Sequence, residues 1–152
     1  MGPLDLCKMT ILCVENNRLI AEDLYKTLSN KYPQHSILMA EDCLTAINCI
    51  KYCSPDIYII SLDISNEDSL FILSVICELR LAKQCIATSS CIETETLAKY
   101  AETGIRCFIT KPIVPEKLFQ KIDDLMQFRF LCKFNTVKTV NSAMRTRVLR
   151  AL

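Results

Sequence analysis

Six polar side chains stand where short apolar runs of this chain give way to loops: Glu15 and Asn16, Ser61 and Asp63, Ser89, and Lys111. They offer two carboxylates, a carboxamide, two hydroxyls and an ammonium. Carboxylates are hard oxygen donors of the kind magnesium binds. A serine hydroxyl is a weak nucleophile unless a neighbouring base takes its proton. His35 is the only histidine, and it is close in sequence to none of the six. Lys111 beside carboxylates keeps its proton, because a nearby anion favours the charged form. No glycine-rich phosphate loop is present, since the chain holds only two glycines. These residues therefore name no catalytic group, no cofactor and no metal site, and they argue against an enzyme.

The six positions act together only if the fold gathers them. Strand-like and helix-like segments alternate, the pattern of a parallel sheet wrapped by helices. Thr10 to Val14 reads as the first strand, and a helix follows from about Asn17 to Lys31 with Leu19, Ile20, Leu24 and Leu28 on one face. Ser36 to Ala40 is a second strand, and Leu44 to Tyr52 a second helix carrying Ala46, Ile47 and Ile50. Ile57 to Leu62 is the third strand. A helix from Ser69 to Leu81 follows, buried along Ile72, Leu73, Ile76 and Leu79. Gln84 to Ser89 is strand four and Glu93 to Thr103 helix four, with Gly104 as its stop. Cys107 to Thr110 is strand five, and the last helix starts near Pro115, where proline suits a first turn. Strands apolar on both faces predict an α/β domain, a doubly wound parallel five-stranded sheet. The carboxyl ends of such strands converge on one crevice, and the six polar residues fall there.

The stretch PDIYIISLDISNEDS, from Pro55 to Ser69, resembles the phosphorylation-site strand of two-component receiver domains, P-D-x-x-x-x-D-x-x-M-P-x-x-D-G. Pro55, Asp56 and Asp68 match that pattern, and Ser61 stands where the phosphoacceptor aspartate belongs. The likeness extends over residues 9–128. Glu15-Asn16 stands at the family's acidic pair, Ser89 at its Ser/Thr switch, Phe108 at its switch aromatic, and Lys111-Pro112 at its Lys-Pro motif. Phe108 to Pro112, together with Gly104, is the most specific element, and the 22-residue interval from Ser89 to Lys111 suits the family. The resemblance implies a flavodoxin-like (βα)5 fold, a role in phosphorelay signalling, and partner contacts or dimers through helix four, strand five and helix five. Here that face would include Lys99, Tyr100, Phe108 and Lys117.

Receiver phosphorylation, as the family performs it, needs a carboxylate nucleophile and Mg²⁺ to neutralise the phosphoryl oxygens. Glu15 is the only acidic side chain kept at the matching positions, since Asn16 is neutral and Ser61 offers a hydroxyl. The first expectation is therefore a degenerate pocket in a phosphorylation-independent interaction module. A second is a working receiver with Asp63 as acceptor, two residues beyond Ser61 on the same side of an extended strand. That reading requires an insertion, and the spacing to Asp68 fits Ser61 better. Alternatively, Asp63 reaches back to pair with Lys111 and holds the pocket in one state. An unrelated small α/β enzyme is the weakest alternative.

Charge divides the chain in two. The first 124 residues carry 12 basic and 17 acidic side chains, net −5, while the remainder has six basic and none acidic. Arg129, Lys133, Lys138, Arg145, Arg147 and Arg150 make residues 129–152 a basic extension, and Val137, Val140, Met144 and Val148 suggest a helix within it. It is expected to fold back on the acidic domain. Binding an acidic protein is the next alternative, and a non-specific contact with nucleic acid the weakest. The expected partner is a signalling protein, with homodimerisation open. Residues 1–8 read as a short N-terminal extension. No apolar run approaches the roughly 18 residues of a membrane span, and the N-terminus lacks the pattern of a secretory signal. A cytoplasmic protein without membrane contact is expected. Ten cysteines, none at C-x-x-C spacing, read mostly as small buried hydrophobes. Cys49 and Cys53, four apart, could share a metal, but no second ligand pair lies near them.

Overall fold

The structure, a computed structural model, describes residues 8–91, 93–129 and 131. Strands β1 (Thr10–Val14), β2 (Ser36–Ala40), β3 (Ile57–Ser61), β4 (Cys85–Ser89) and β5 (Cys107–Thr110) form one parallel sheet in the order β2-β1-β3-β4-β5. Helices α1 (Arg18–Lys31), α2 (Cys43–Cys53), α3 (Asn66–Glu78) and α4 (Thr94–Ala101) connect them, and α5 (residues 115–129) follows β5. This is the doubly wound sheet the alternation predicts, in the flavodoxin-like order that the resemblance implies. Strand order reverses between β1 and β3, and crevices open outside the carboxyl ends of the strands at such a switch point.

Successive side chains of a strand point to opposite faces, so each central strand feeds two core layers. Leu12, Val14, Tyr58, Ile60 and Ala87 pack into the layer that holds Ile50 of α2, Ile72 and Ile76 of α3, and Tyr100 of α4. Ile11, Cys13, Ile57, Ile59, Ile86 and Ile109 pack against Leu24 and Leu28 of α1 and Leu118, Ile122 and Met126 of α5. Fully burying an aliphatic side chain of this size contributes about 1.5–3 kcal/mol. The two layers thus hold the strands, and with them the strand ends, in fixed register.

Helix boundaries follow the capping groups. The side chains of Asn17, Asp42 and Ser65 each accept a backbone N–H in the first turn of α1, α2 and α3. Ser65 therefore starts α3 at Asn66, ahead of the expected Ser69. The same helix ends at Glu78 because Arg80 adopts a left-handed backbone, φ 60°. Leu79 lies outside it and is exposed, contrary to expectation. Leu19 is also exposed, since the buried stripe of α1 runs through Ala21, Leu24 and Leu28. At about 100° per residue, Leu19 lies roughly 200° round from Ala21.

The reading of the cysteines needs more correction. Cys13 and Cys85 on strands are buried, but Cys53, Cys77 and Cys91 are exposed and Cys43, Cys49 and Cys107 lie between. Helical cysteines such as Cys77 sit beside a buried neighbour, Ile76, and turn outward. The boundary placed at residue 129 falls inside the folded part. Arg129 belongs to α5 and pairs with Asp56 at the start of β3, Nε to Oδ1 3.4 Å. Lys133, Lys138, Arg145, Arg147 and Arg150 lie outside the described residues, as does the helix expected there. No helix among the described residues is long and apolar enough to cross a membrane.

Gly104 has φ +90°, and a Cβ there would lie 3.3 Å from Ala82 Cβ. Replacing Gly104 with Ala should destabilise the domain by about 1–2 kcal/mol, the cost of a left-handed backbone for an L-residue. A shifted midpoint in urea denaturation checks this.

Candidate functional site

Three strands are each extended by one ladder bond past their last residue, and those bonds aim the polar groups. The Glu15 amide donates to the Ala40 carbonyl at 3.0 Å, the Leu62 amide to Thr88 at 2.8 Å, and the Lys111 amide to Ser89 at 2.9 Å. Glu15, Ser61 and Lys111 thereby meet at the carboxyl ends of β1, β3 and β5, with the Lys111–Pro112 peptide cis.

The ammonium of Lys111 is the centre of the site. It donates to Glu15 Oε2 at 2.7 Å and to Ser61 Oγ at 2.9 Å, and lies 3.0 Å from Asp63 Oδ2. An ammonium has three N–H donors, and three oxygens surround this one. The Lys111 and Glu15 side chains are almost fully buried, at 7% and 3% exposure, and Asp63 keeps 27%. The other Glu15 oxygen accepts the Asn17 amide at 3.1 Å. Both oxygens of that carboxylate are therefore engaged.

Ser61 is buried, and its Oγ also accepts the Asp63 amide at 3.2 Å. Leu62 and Asp63 form a turn that leaves the strand. Asp63 reaches the Ser61 side through this turn and not, as the sequence suggests, by continuing an extended strand. Its carboxylate crosses to the β4 end: Ser89 Oγ donates to Oδ1 at 3.0 Å, and the Ser90 amide lies 3.2 Å from Oδ1 and 3.0 Å from Oδ2. Burial works to raise the Asp63 pKa. The hydrogen bond from Lys111, the Ser90 amide, the charge of Lys111 and the Ser89 hydroxyl outweigh it, and the carboxyl is held below its ordinary 3.8. The pairing of Asp63 with Lys111 anticipated from sequence is present.

Five of the six residues are thus brought together. Asn16 is exposed, and its side chain has no hydrogen bond among the described residues. Sequence reasoning missed the backbone amides of Asn17 and Ser90, which no side-chain pattern reveals. Phe108 is partly buried against the core layer that holds Tyr100. Tyr100 must be struck from the expected partner face. It is buried, and its hydroxyl lies 3.0 Å from Ser69 Oγ; that pair fastens α4 to α3. Lys99 and Lys117 are exposed. Among the described residues no group of three or more His, Cys, Asp or Glu side chains is placed to hold a metal ion.

Two measurements follow. Replacing Lys111 with Met leaves Glu15 buried without its counter-charge, and should cost about 3 kcal/mol in urea denaturation. A depressed carboxyl pKa contributes stability above the ordinary value and loses it as pH falls through the folded value. The stability gap between the natural chain and Asp63→Asn should therefore be full at pH 7 and shrink below pH 3.8, followed by urea midpoints across that range.

The comparisons with known proteins agree with this fold. The family model for the response regulator receiver domain matches residues 11–123. Among solved structures, the signal receiver domain of a DNA-binding response regulator from Colwellia psychrerythraea superposes with a TM-score of 0.72 at 21% identity, covering 79% of this chain and 99% of that one. A CheY-like receiver domain protein from Methanospirillum hungatei gives 0.72 at 16% identity, covering 81% and 97%. The N-terminal domain of an uncharacterized protein from Wolinella succinogenes gives 0.71 at 27% identity, covering 82% and 98%. With its sheet order, its convergent strand ends and a family match over most of its length, this chain belongs to the response regulator receiver domain family.

Proposed function

We propose that this receiver domain is an atypical one, a cytoplasmic signalling module that acts through phosphorylation-independent contacts with a protein partner and takes no phosphoryl group at Ser61. The observation that carries the reading is the position of the Lys111 ammonium between Glu15, Ser61 and Asp63. Receiver chemistry calls for Mg²⁺ held by carboxylates next to an ionised acceptor. Magnesium demands near-octahedral oxygen ligands at about 2.0–2.1 Å and usually keeps several waters. The residues here do not fit that group. Of the three acidic positions only Glu15 is kept, Ser61 offers a hydroxyl, Asn16 points to solvent, and the Glu15 and Asp63 carboxylates already share the Lys111 ammonium. A metal would have to displace Lys111 and leave an ammonium stranded in a buried pocket.

Ser61 is equally ill-suited as a nucleophile. Its oxygen accepts two hydrogen bonds, from Lys111 and from the Asp63 amide, and no base among the described residues accepts a hydrogen bond from it. At 1% exposure it is also out of reach of an external kinase. A pocket whose charges are mutually satisfied has one stable arrangement, which suits a domain read by its partner in a constant form. Homodimerisation and nucleic-acid contact through the basic extension are subsidiary possibilities for the same module.

One observation favours the second reading, a working receiver with Asp63 as acceptor. Asp63 is the more exposed carboxylate and touches both Ser89 and Lys111. Incubation with acetyl phosphate and Mg²⁺ decides between the two. The mass of the intact chain should stay unchanged. A gain of one phosphoryl group that disappears in Asp63→Asn would establish the second reading instead.

A further inference from the structure

At the opposite end of the sheet from the pocket, an open groove of about 870 Å³ runs between the end of α3, the turn before β4, the start of β5 and the last turns of α5. Its floor is largely apolar, with Ala82, Leu125 and Phe128 among the lining residues. Phe128 is 40% exposed, a large aromatic surface left open to solvent. Arg80, Lys83, Arg106 and Lys121 line the same groove against one carboxylate, Asp124. Four of the 12 basic residues in a region of net charge −5 are therefore gathered here. None of the four has an ion-pair partner among the described residues, whereas Arg18, Lys111 and Arg129 are each paired.

Arg80 adds an independent observation. The Leu81 amide donates to the Ile76 carbonyl and the Arg80 amide to Cys77, both at 2.9 Å, which is the hydrogen-bond pattern of a left-handed helix stop. Glycine ordinarily fills that central position, as Gly104 does at the neighbouring left-handed turn on the same groove. Here an arginine holds it at φ 60°. Strained backbone kept at the rim of a cavity is a pointer to function, and what glycine would lack is the guanidinium.

We infer that this groove is a docking site for an acidic segment of a partner protein, one that seats an apolar side chain on Leu125 and Phe128 while its carboxylates meet Arg80, Lys83, Arg106 and Lys121. The inference rests on the reading of the domain as an interaction module but not on the state of its pocket. A cationic rim over an apolar floor suits a peptide better than a nucleic-acid backbone, whose affinity comes mainly from phosphate contacts. An acidic ligand also approaches against the field of a net-negative domain only where cations are concentrated.

Selection of phage-displayed random short peptides against the full chain tests this, with enriched peptides labelled by fluorescein and titrated by anisotropy. Enriched sequences should combine Asp or Glu with Leu- or Phe-like residues, and binding should weaken as salt rises. Affinity should drop about tenfold in Arg80→Glu and in Lys121→Glu and stay unchanged in Lys26→Glu on α1. Arg80→Gly guards against misfolding: it should melt no lower than the natural chain and still bind more weakly. The inference is overturned by no enrichment, by peptides without acidic bias, or by affinity indifferent to the groove substitutions. Loss only in Arg145→Glu with Arg147→Glu, or equal displacement by a single-stranded oligonucleotide, overturns it too. Any of these failures leaves the phosphorylation result with acetyl phosphate standing, so the two readings fall separately.

Discussion

A single ammonium group, that of Lys111, holds together the ends of three strands. Without it, Glu15 at the end of β1 and Asp63 after β3 would face one another as like charges, the first of them buried. An unpaired buried carboxylate is costly enough that the fold would protonate it or open. With the lysine present, every donor on the ammonium has an acceptor, and the strand ends are tied across the sheet. The ladder bonds past Val14, Ser61 and Thr110 bring these groups into range, and the two core layers keep the ladder in register.

That arrangement fixes what the pocket can do. Ser61 and Lys111 are hydrogen-bonded to one another, and the lysine serves as counter-ion to Glu15 and Asp63. Buried ion pairs are poor sources of net stability against an apolar alternative, yet breaking one is expensive. The pocket therefore resists change more than it strengthens the fold. Asp63, crossing from the β3 turn to Ser89 and Ser90, extends the same locking to the end of β4.

The ends of the sheet carry different properties. The carboxyl end is closed on its own charges. The amino end has Arg129 of α5 seated on Asp56, and a groove whose cations have no ion-pair partner among the described residues. Tyr100 illustrates how the middle is braced: its hydroxyl meets Ser69 while its ring fills the core. An aromatic residue that looks like surface by its place in α4 is thus withdrawn from any contact face.

The order of the elements, the parallel sheet and the meeting of five of the six strand-end residues were legible in the chain. Period-two and helical spacings are set by backbone geometry, and polar groups at strand ends have nowhere else to go. That a hydroxyl, Ser61, stands at the end of β3 was equally plain, because it is a matter of residue type and spacing. Exposure of Leu19 and Cys77 was not, since a rotation of one residue along a helix moves a side chain from core to solvent, and that of Leu79 depends on where α3 ends. Nor were the amides of Asn17 and Ser90, the strain at Arg80 or the grouping of four cations from three distant segments. Those depend on where separate elements pack against each other, and only the tertiary structure brings together atoms that the sequence keeps tens of residues apart.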